Sequence, residues 1–497
     1  MITIKHHSIF HKAGQGQFYS AKISCNNTNI NYVIDCGTQT KGYNNSLDNE
    51  IKTYVNSLKA NEKLDYLIIS HLHSDHISGV DTLLTKLNEK KTEVSNVFLP
   101  YLSKETRIYL YLKWMNQKGI KQNTLSFIIN PIKFLKKYRV KKIRIVHMSD
   151  RDDKSQDFPD LDIRDKFSWD NDEKIEDSIY WEMPRITSGD IEWEDDETVS
   201  NIRNCKINFL LDFDFWYKSC DSKELSSFKK AIEDKYKDLD KIESETLKGL
   251  LSDKTIKEAY SKLQKNFNDT SLCVSITAST DLVQEKVEPL DFNGYNPVRY
   301  TRVCDERKVF NELCSKYLCD RFCSECQFFR EFFIENHVLK QNGVSVLDKI
   351  RKFDEFEYYK KILERKWMRY TLRFGYIFTG DINLFPQNNG EVSETTLEFL
   401  EHYNSKAERI GNLVVPHHGA KKNWDKRLLA FFCLPHSIVS SGFNSQYGHP
   451  HAPVVNDISN SWSWANENHE CVQRFYLRFN SGKVQIGNSS KIPALSK

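Results

Sequence analysis

Apolar residues run in short alternating stretches near both ends of the chain and recur at three- and four-residue steps between them. ITIKHHSIFH from Ile2, FYSAKISC from Phe18, INYVIDCGT from Ile30 and LDYLIIS from Leu64 are each bounded by Gly, Asn or Asp, the punctuation of strands. A helical stretch precedes the last of these. From about 80 to 145 helix and strand signals alternate: VDTLLTKLNEK, then VSNVFLP, then the basic IKFLKKYRVKKIRIV. KINFLLDFDFW at 206–216 resumes a strand, 222–265 carries two helices with Leu247, Leu250, Leu251 and Ile256 at helical steps, and NDTSLCVSI is a strand. VLDKIRKFDEFEYYKKILERKW reads as helix. Beyond it, RYTLRFGYIFTGD, GNLVVPHHGA and HSIVSSGFN are strand-like, SETTLEFLEHY is a helix, and RFYLRFN pairs with KVQIGN through Ser481-Gly482. Strands at both ends with helices alternating between them predict an α/β or α+β fold, and the chain contains no internal repeat.

Composition narrows the class. At 497 residues the chain is long enough for about three domains, or for one large layered domain carrying insertions. Its 39% hydrophobic and 12% aromatic content excludes a mainly disordered protein. A net charge of +3 excludes a dedicated nucleic-acid coat and names no partner. No apolar run approaches the roughly 18 residues of a membrane span, and the start, MITIKHHSIFHKAGQGQ, lacks the apolar core of a secretory signal. The expectation is a soluble, cytoplasmic protein without a membrane partner. Twelve scattered cysteines do not form a disulfide framework. The run Cys314, Cys319, Cys323 and Cys326, with Cys304 upstream, either holds a structural zinc or belongs to a helix facing an aromatic core. Lys133 to Arg144, interleaved with Phe134 and Tyr138, either tracks a phosphate backbone or is a solvated face. An acid-rich excursion spans 150–197.

The strongest chemical signal is SHLHSDHISG, which places His71, His73, Asp75 and His76 directly after a buried-strand pattern. Three imidazoles and a carboxylate at a strand end are costly to desolvate unless something satisfies them together, and a divalent metal does so. Strand alternation points His71 and His73 the same way, and the following turn can bring Asp75 and His76 onto a second ion.

This motif resembles HxHxDH, the signature of the metallo-β-lactamase superfamily. Tyr376-Ile-Phe-Thr-Gly-Asp381 is similar to the superfamily's later strand, whose Asp bridges two metals. Leu413-Val-Val-Pro-His-His-Gly-Ala420 and Ser441-Gly-Phe-Asn-Ser-Gln-Tyr-Gly-His-Pro-His451 resemble one branch, the soluble hydrolase domain of ComEC-type competence proteins. Gly14-Gln15-Gly16 and Asp35-Cys36-Gly37 match that branch as well, whereas Gln17 stands where it tends to have Asp.

The resemblance implies a four-layer αβ/βα sandwich with two insertions. Its halves would lie at 1–80 and 368–497, with a return to the core at 201–276. The insertions would be 81–200, basic then acidic, and 277–367, bearing the cysteines. Two divalent ions, Zn or Mn, would share Asp381 and a water whose lowered pKa makes hydroxide the nucleophile. His71 and His73 would hold one ion and Asp75 and His76 the other, with His418, or else His417, as the second ion's outer ligand. The superfamily's third histidine for the first ion has no match, because His147 and His337, the histidines of that interval, lack a Gly-His context. Water or His449 would complete that shell. Asp75, His449 and His451 are the catalytic candidates, the two histidines stabilising phosphoryl oxygens or protonating a leaving group; Asn444 and Tyr447 could line the pocket. The implied function is metal-dependent phosphodiester cleavage on a nucleic acid or nucleotide. The alternatives are hydrolysis of a small ester, thioester, lactam or phosphocholine-type diester, and a partner-bound effector that grips a protein through its insertions.

Overall fold

In the computed structural model, residues 2–146, 199–278 and 375–491 are described, short stretches within these spans excepted. Sixteen strands are seen among the described residues. The first sheet contains β1 (Ile2–Phe10), β2 (Phe18–Cys25), β3 (Thr28–Cys36), β4 (Leu64–Ile68), β5 (Val94–Pro100), β6 (Val140–Val146) and β7 (Val199–Ile202). The second contains β8 (Asn204–Ile207), β9 (Leu211–Trp216), β10 (Cys273–Ala278), β11 (Gly375–Phe378), β12 (Ile410–Val414), β13 (His436–Ser440) and β14 (Trp462–Ala465). The chain then returns to the first sheet with β15 (Cys471–Asn480) and β16 (Lys483–Lys491). The orders are β16-β15-β1-β2-β3-β4-β5-β6-β7 and β14-β13-β12-β11-β10-β9-β8.

Each sheet has an antiparallel half and a parallel half. β3 to β7 run parallel in the first sheet, and β11 to β14 run parallel in the second. Parallel strands buried on both faces read as continuous apolar runs, which is how LDYLI appears in β4, buried at every position. Period-2 alternation then divides its side chains. Tyr66 and Ile68 enter a core between the two sheets with Tyr32, Phe98, Phe213, Val274, Tyr376, Phe378 and Ile438. Leu67 and Ile69 face the outer helices of the first sheet: α1 (Asn44–Ser57), α2 (Ser74–Ile77), α3 (Val80–Glu89), α4 (Lys104–Met115), α5 (Gln122–Ile129), α6 (Pro131–Leu135) and α7 (Lys223–Glu233) border that side. Ile377, Leu413 and Val439 face the helices Glu394–Tyr403, Arg427–Phe431 and Ala452–Ile458 on the opposite side. The result is helix, sheet, sheet, helix, the four-layer α/β sandwich that the superfamily resemblance implies.

Residues 94–146, within the segment read as inserted (81–200), supply α4 to α6 and the strands β5 and β6, which extend the first sheet itself. The basic run in this region is helix followed by strand. Phe134 and Tyr138 pack into the core, Arg144 is buried and bonds Asn96 Oδ1 at 3.1 Å, and Lys141 pairs with Glu93 at 3.0 Å. Its aromatic rings are therefore not presented for stacking on bases. Among the described residues no helix is long and apolar enough to cross a membrane.

Candidate metal centre

The parallel strands of both sheets end at one place, and their carboxyl ends supply the polar cluster, as open α/β sheets generally do. β3 delivers Asp35, β4 delivers Ser70 and His71, β11 leads into Asp381, β12 leads into His417 and His418, and β13 delivers Ser440. Ligand atoms of His71, Asp75, His76 and Asp381 all lie within 4.8 Å of one another, and all four residues are buried.

Asp381 divides the cluster. Its Oδ2 lies 3.3 Å from His71 Nε2, 3.5 Å from His73 Nδ1 and 3.7 Å from His417 Nε2. Its Oδ1 lies 3.4 Å from His76 Nε2 and 3.8 Å from His418 Nε2, and the latter nitrogen is 3.2 Å from Asp75 Oδ2. Three imidazoles thus gather about one oxygen, and two imidazoles with the Asp75 carboxylate gather about the other.

Among the described residues, the buried atoms His71 Nε2, His76 Nε2, Asp75 Oδ1 and Asp381 Oδ1 have no hydrogen-bond partner of good geometry. Orphaned buried donors and acceptors are costly, and four in one cluster fit the divalent ions that the superfamily resemblance implies. Burial, with help from neighbouring positive charge, lowers the pKa of His71 and pushes that of His73 down to about 3, so both present neutral nitrogens. For Asp75 and Asp381 burial acts upward, but the surrounding imidazoles outweigh it and hold both carboxyls below the usual range.

The outward ring nitrogens of His71, His76 and His418 are each held. Asp35 is the hub: its Oδ2 accepts from His76 Nδ1 at 2.7 Å and from the Ser70 hydroxyl at 2.6 Å, and its Oδ1 accepts from the Ser70 backbone N–H at 2.7 Å. With its proton committed to Asp35, Ser70 Oγ accepts from His71 Nδ1 at 2.9 Å. His418 Nδ1 donates to the Ser440 carbonyl at 2.6 Å. Such partners fix tautomer and ring orientation, which leaves Nε2 of His71, His76 and His418 for a ligand.

Backbone strain and close approach shape the loops. Asp35, His417 and His418 have φ of 57°, 46° and 57°, a left-handed conformation costly for non-glycine residues. A Cβ at Gly37 would meet the Asp75 carbonyl carbon at 2.5 Å, and one at Gly16 would meet the Gly37 oxygen at 2.3 Å. The Gly14-Gln-Gly16 turn and the end of β3 can therefore press onto the metal motif only without side chains. Gln17 acts through its backbone, its N–H donating to Asp75 O at 3.0 Å and its carbonyl accepting from Gly37 N at 2.9 Å. On the other wall, Asp381 N donates to Ser271 Oγ at 3.1 Å, which is where the NDTSLCVSI strand meets the site.

The remaining candidates divide. His449 lies at the rim, its ring 5.6 Å from that of His417 and its Nδ1 3.4 Å from Gln15 Nε2. Burial, followed by the charges of His418, His417 and His451, pushes its pKa down to about 3. His451 is one position further out. Its Nδ1 accepts from the Lys421 backbone N–H at 3.0 Å, and it stands at the start of helix Ala452–Ile458. Tyr447 is exposed and stacks its ring on His449 at 5.8 Å. Asn444, His147, His337 and the cysteines Cys304, Cys314, Cys319, Cys323 and Cys326 lie outside the described residues.

Residues 25–127 match the family model of the Metallo-beta-lactamase superfamily. The matched span contains the HxHxDH motif, and it supports the superfamily that the motifs resemble, whose members are metallohydrolases. Among solved structures, the chain is similar to a long form RNase Z from yeast, at 16% identity over 29% of this chain and 19% of that one, with a TM-score of 0.17. It is also similar to the metallo-beta-lactamase fold protein YhfI from Bacillus subtilis, at 17% identity over 24% of this chain and 44% of that one, with a TM-score of 0.15. The chain therefore spans less than half the length of either. No curated protein matches it.

The motifs nominate His71, His73, Asp75, His76 and Asp381 as ligands and leave His417 and His418 as alternatives for one position. The structure turns them to opposite oxygens of Asp381. Ser70 and Ser440 were missed because nothing local marks a serine or a backbone carbonyl as an orienting partner. Asp35 carried a signal, the Asp-x-Gly strand end, but no role could be attached to it before β3 and β4 were seen side by side.

Proposed function

We propose that this chain is a metal-dependent hydrolase that cleaves a phosphodiester bond in a nucleic acid or nucleotide. The observation that carries the proposal is the division of buried donors about Asp381, with His71, His73 and His417 beside one oxygen and Asp75, His76 and His418 beside the other. Each group would hold one divalent ion, with Asp381 common to both. His417 then supplies the third histidine that the interval between the motifs lacks.

Two divalent ions at this place supply Lewis acidity and a water acidified towards neutrality. Set against the Asp75 and Asp381 carboxylates, they leave a local charge of about +2, which suits an anionic phosphoryl group better than a neutral ester. His449, uncharged and at the rim, is placed to donate a hydrogen bond to a phosphoryl oxygen or to the leaving group. His and carboxylate donors accept Zn²⁺, Mn²⁺ and Fe²⁺ alike. The ComEC-type likeness of Gly14–Gly16, Asp35–Gly37, Leu413–Ala420 and Ser441–His451 supports the phosphodiester over other substrates.

Hydrolysis of an activated phosphodiester by Mn²⁺- or Zn²⁺-loaded protein, beside an activated carboxylic ester, tests the reading. Turnover of the diester that is lost in Asp75→Ala supports it. Turnover of the ester alone, by metal-loaded protein, contradicts the phosphodiester assignment and favours the small-ester alternative.

A further inference from the structure

Exposed aromatic rings gather on the side of the fold where the metal centre lies. Among the described residues the exposed large hydrophobic side chains are Phe385, Phe443 and Tyr447. All three stand in loops at the carboxyl ends of second-sheet strands, Phe385 in the segment that follows Asp381 and the other two between β13 and His451. Single apolar residues scattered over a surface are ordinary, but their confinement to one end of one sheet marks a contact site. Tyr447 is tied to the centre by ring contacts. Its ring lies 5.8 Å from that of His449 at an interplanar angle of 29°, and the His449 ring lies 5.6 Å from that of His417, whose Nε2 is 3.7 Å from Asp381 Oδ2. The Tyr447 hydroxyl donates to Gln39 Oε1 at 3.4 Å, and the Gln39 backbone N–H donates to the Gln15 carbonyl at 2.7 Å. With its tip held and one side against His449, Tyr447 is still 48% exposed. In the same loop Phe443 is exposed and stacks on Trp464, with centroids 5.5 Å apart.

We propose that Tyr447 is the base-stacking residue of this site, holding a nucleobase of a single-stranded nucleic acid whose phosphate lies at the metal centre. The inference rests on the phosphodiesterase reading above and names the substrate class within it. A nucleotide needs two kinds of partner, an apolar ring for its base and positive charge for its phosphate, and the loop from β13 to His451 sets the first beside the second. Every base has a π-face, so such a platform is tolerant of sequence. In a duplex those faces are already covered by neighbouring bases, which favours a single strand. The Gln39 contact and the His449 stack hold the Tyr447 ring in place before a ligand arrives, so little freedom is lost on binding. Lys421 and Lys422 are exposed in the adjacent turn, where the Lys421 backbone N–H meets His451 Nδ1 at 3.0 Å, and their charge suits the phosphate backbone. Phe443, backed by Trp464, offers a second platform in the same loop.

Fluorescence anisotropy of the metal-loaded full chain with a labelled oligothymidylate of about ten nucleotides, carrying hydrolysis-resistant phosphorothioate linkages, tests the assignment beside an abasic strand of the same length and a duplex. The base-bearing single strand is expected to bind wild type more tightly than either control. Tyr447→Ala is expected to weaken that binding by about fivefold or more at unchanged metal content, whereas Tyr447→Phe, which keeps the ring, stays within about twofold of wild type. Equal binding of the base-bearing and abasic strands, equal binding of the strand by wild type and Tyr447→Ala, or loss of metal from Tyr447→Ala overturns the stacking role, and a duplex bound as tightly as the single strand overturns the substrate class. No cleavage enters the readout. Wild-type protein that turns over an activated diester but binds the two strands alike contradicts the stacking role and leaves the phosphodiesterase reading standing, while base-dependent binding without turnover of any diester does the reverse.

Discussion

Asp35 does the most for the centre without facing the inward cluster. Its carboxylate holds His76 directly and His71 through Ser70, so one side chain fixes two imidazoles assigned to different ions. Asp35→Asn keeps the volume but loses the charge that orients His76. Metal affinity is expected to fall by about 10- to 100-fold, read by competition titration against a chromophoric chelator; unchanged affinity would remove Asp35 from the account. Asp75→Ala and Asp381→Ala are each expected to abolish turnover with the melting temperature retained, because both side chains carry orphaned ligand atoms rather than core contacts. Retained activity in both would contradict a dinuclear mechanism. At this scale the metal motif was legible because four ligands fall within six consecutive residues. Trp114 and Ser440 were not, since each reaches the site only through tertiary packing.

Turns, more than helices or strands, set the geometry between residues. Pro416–Gly419 carries two consecutive left-handed histidines followed by Gly419 at φ 85°, and this reversal points His417 and His418 to opposite oxygens of Asp381. Sequence spacing could list both histidines but could not divide them, because the division depends on a backbone conformation that non-glycine residues rarely adopt. The end of β3 is as constrained. Gly37→Ala would drive a methyl group into the backbone at Asp75 and His76, and the collision has no side-chain escape. Both the melting temperature and metal occupancy are expected to fall in that variant, checked by calorimetry and elemental analysis. A wild-type melting temperature with full metal would show that the loop yields freely. The strands themselves were well marked: LDYLIIS, INYVIDCGT and HSIVSSGFN each appear in the structure as strands leading into the site. The basic run was ambiguous for a physical reason, since a helix that buries Phe134 and a strand that buries Ile143 and Ile145 both show lysines outward.

For the whole molecule, the strand and helix pattern gives the α/β class and the superfamily resemblance implies the four-layer sandwich, but neither marked the extent of the first sheet. Val94–Pro100 and Val140–Val146 extend it beside the metal motif, in a region where the interrupted pattern reads as inserted. The layered core also sets a pH response independent of metal. His436 is buried in the second sheet between the Ser461 and Ser463 hydroxyls, and burial pushes its pKa from 6.5 down to about 4. The folded state therefore binds fewer protons than the unfolded state between those values. The stability involved is fully present above pH 6.5 and lost as pH falls towards 4, on the order of 3 kcal/mol. Metal-free protein is expected to melt progressively lower across this window, and His436→Gln to flatten the slope; an unchanged slope would assign the acid sensitivity to other groups. The central claim is a two-ion centre bridged by Asp381, and calorimetric titration of Zn²⁺ or Mn²⁺ into metal-free protein tests it most directly. Two ions per chain, falling below two in Asp381→Ala, are the predicted result. One ion or none in the wild type, or two in the variant, would contradict it.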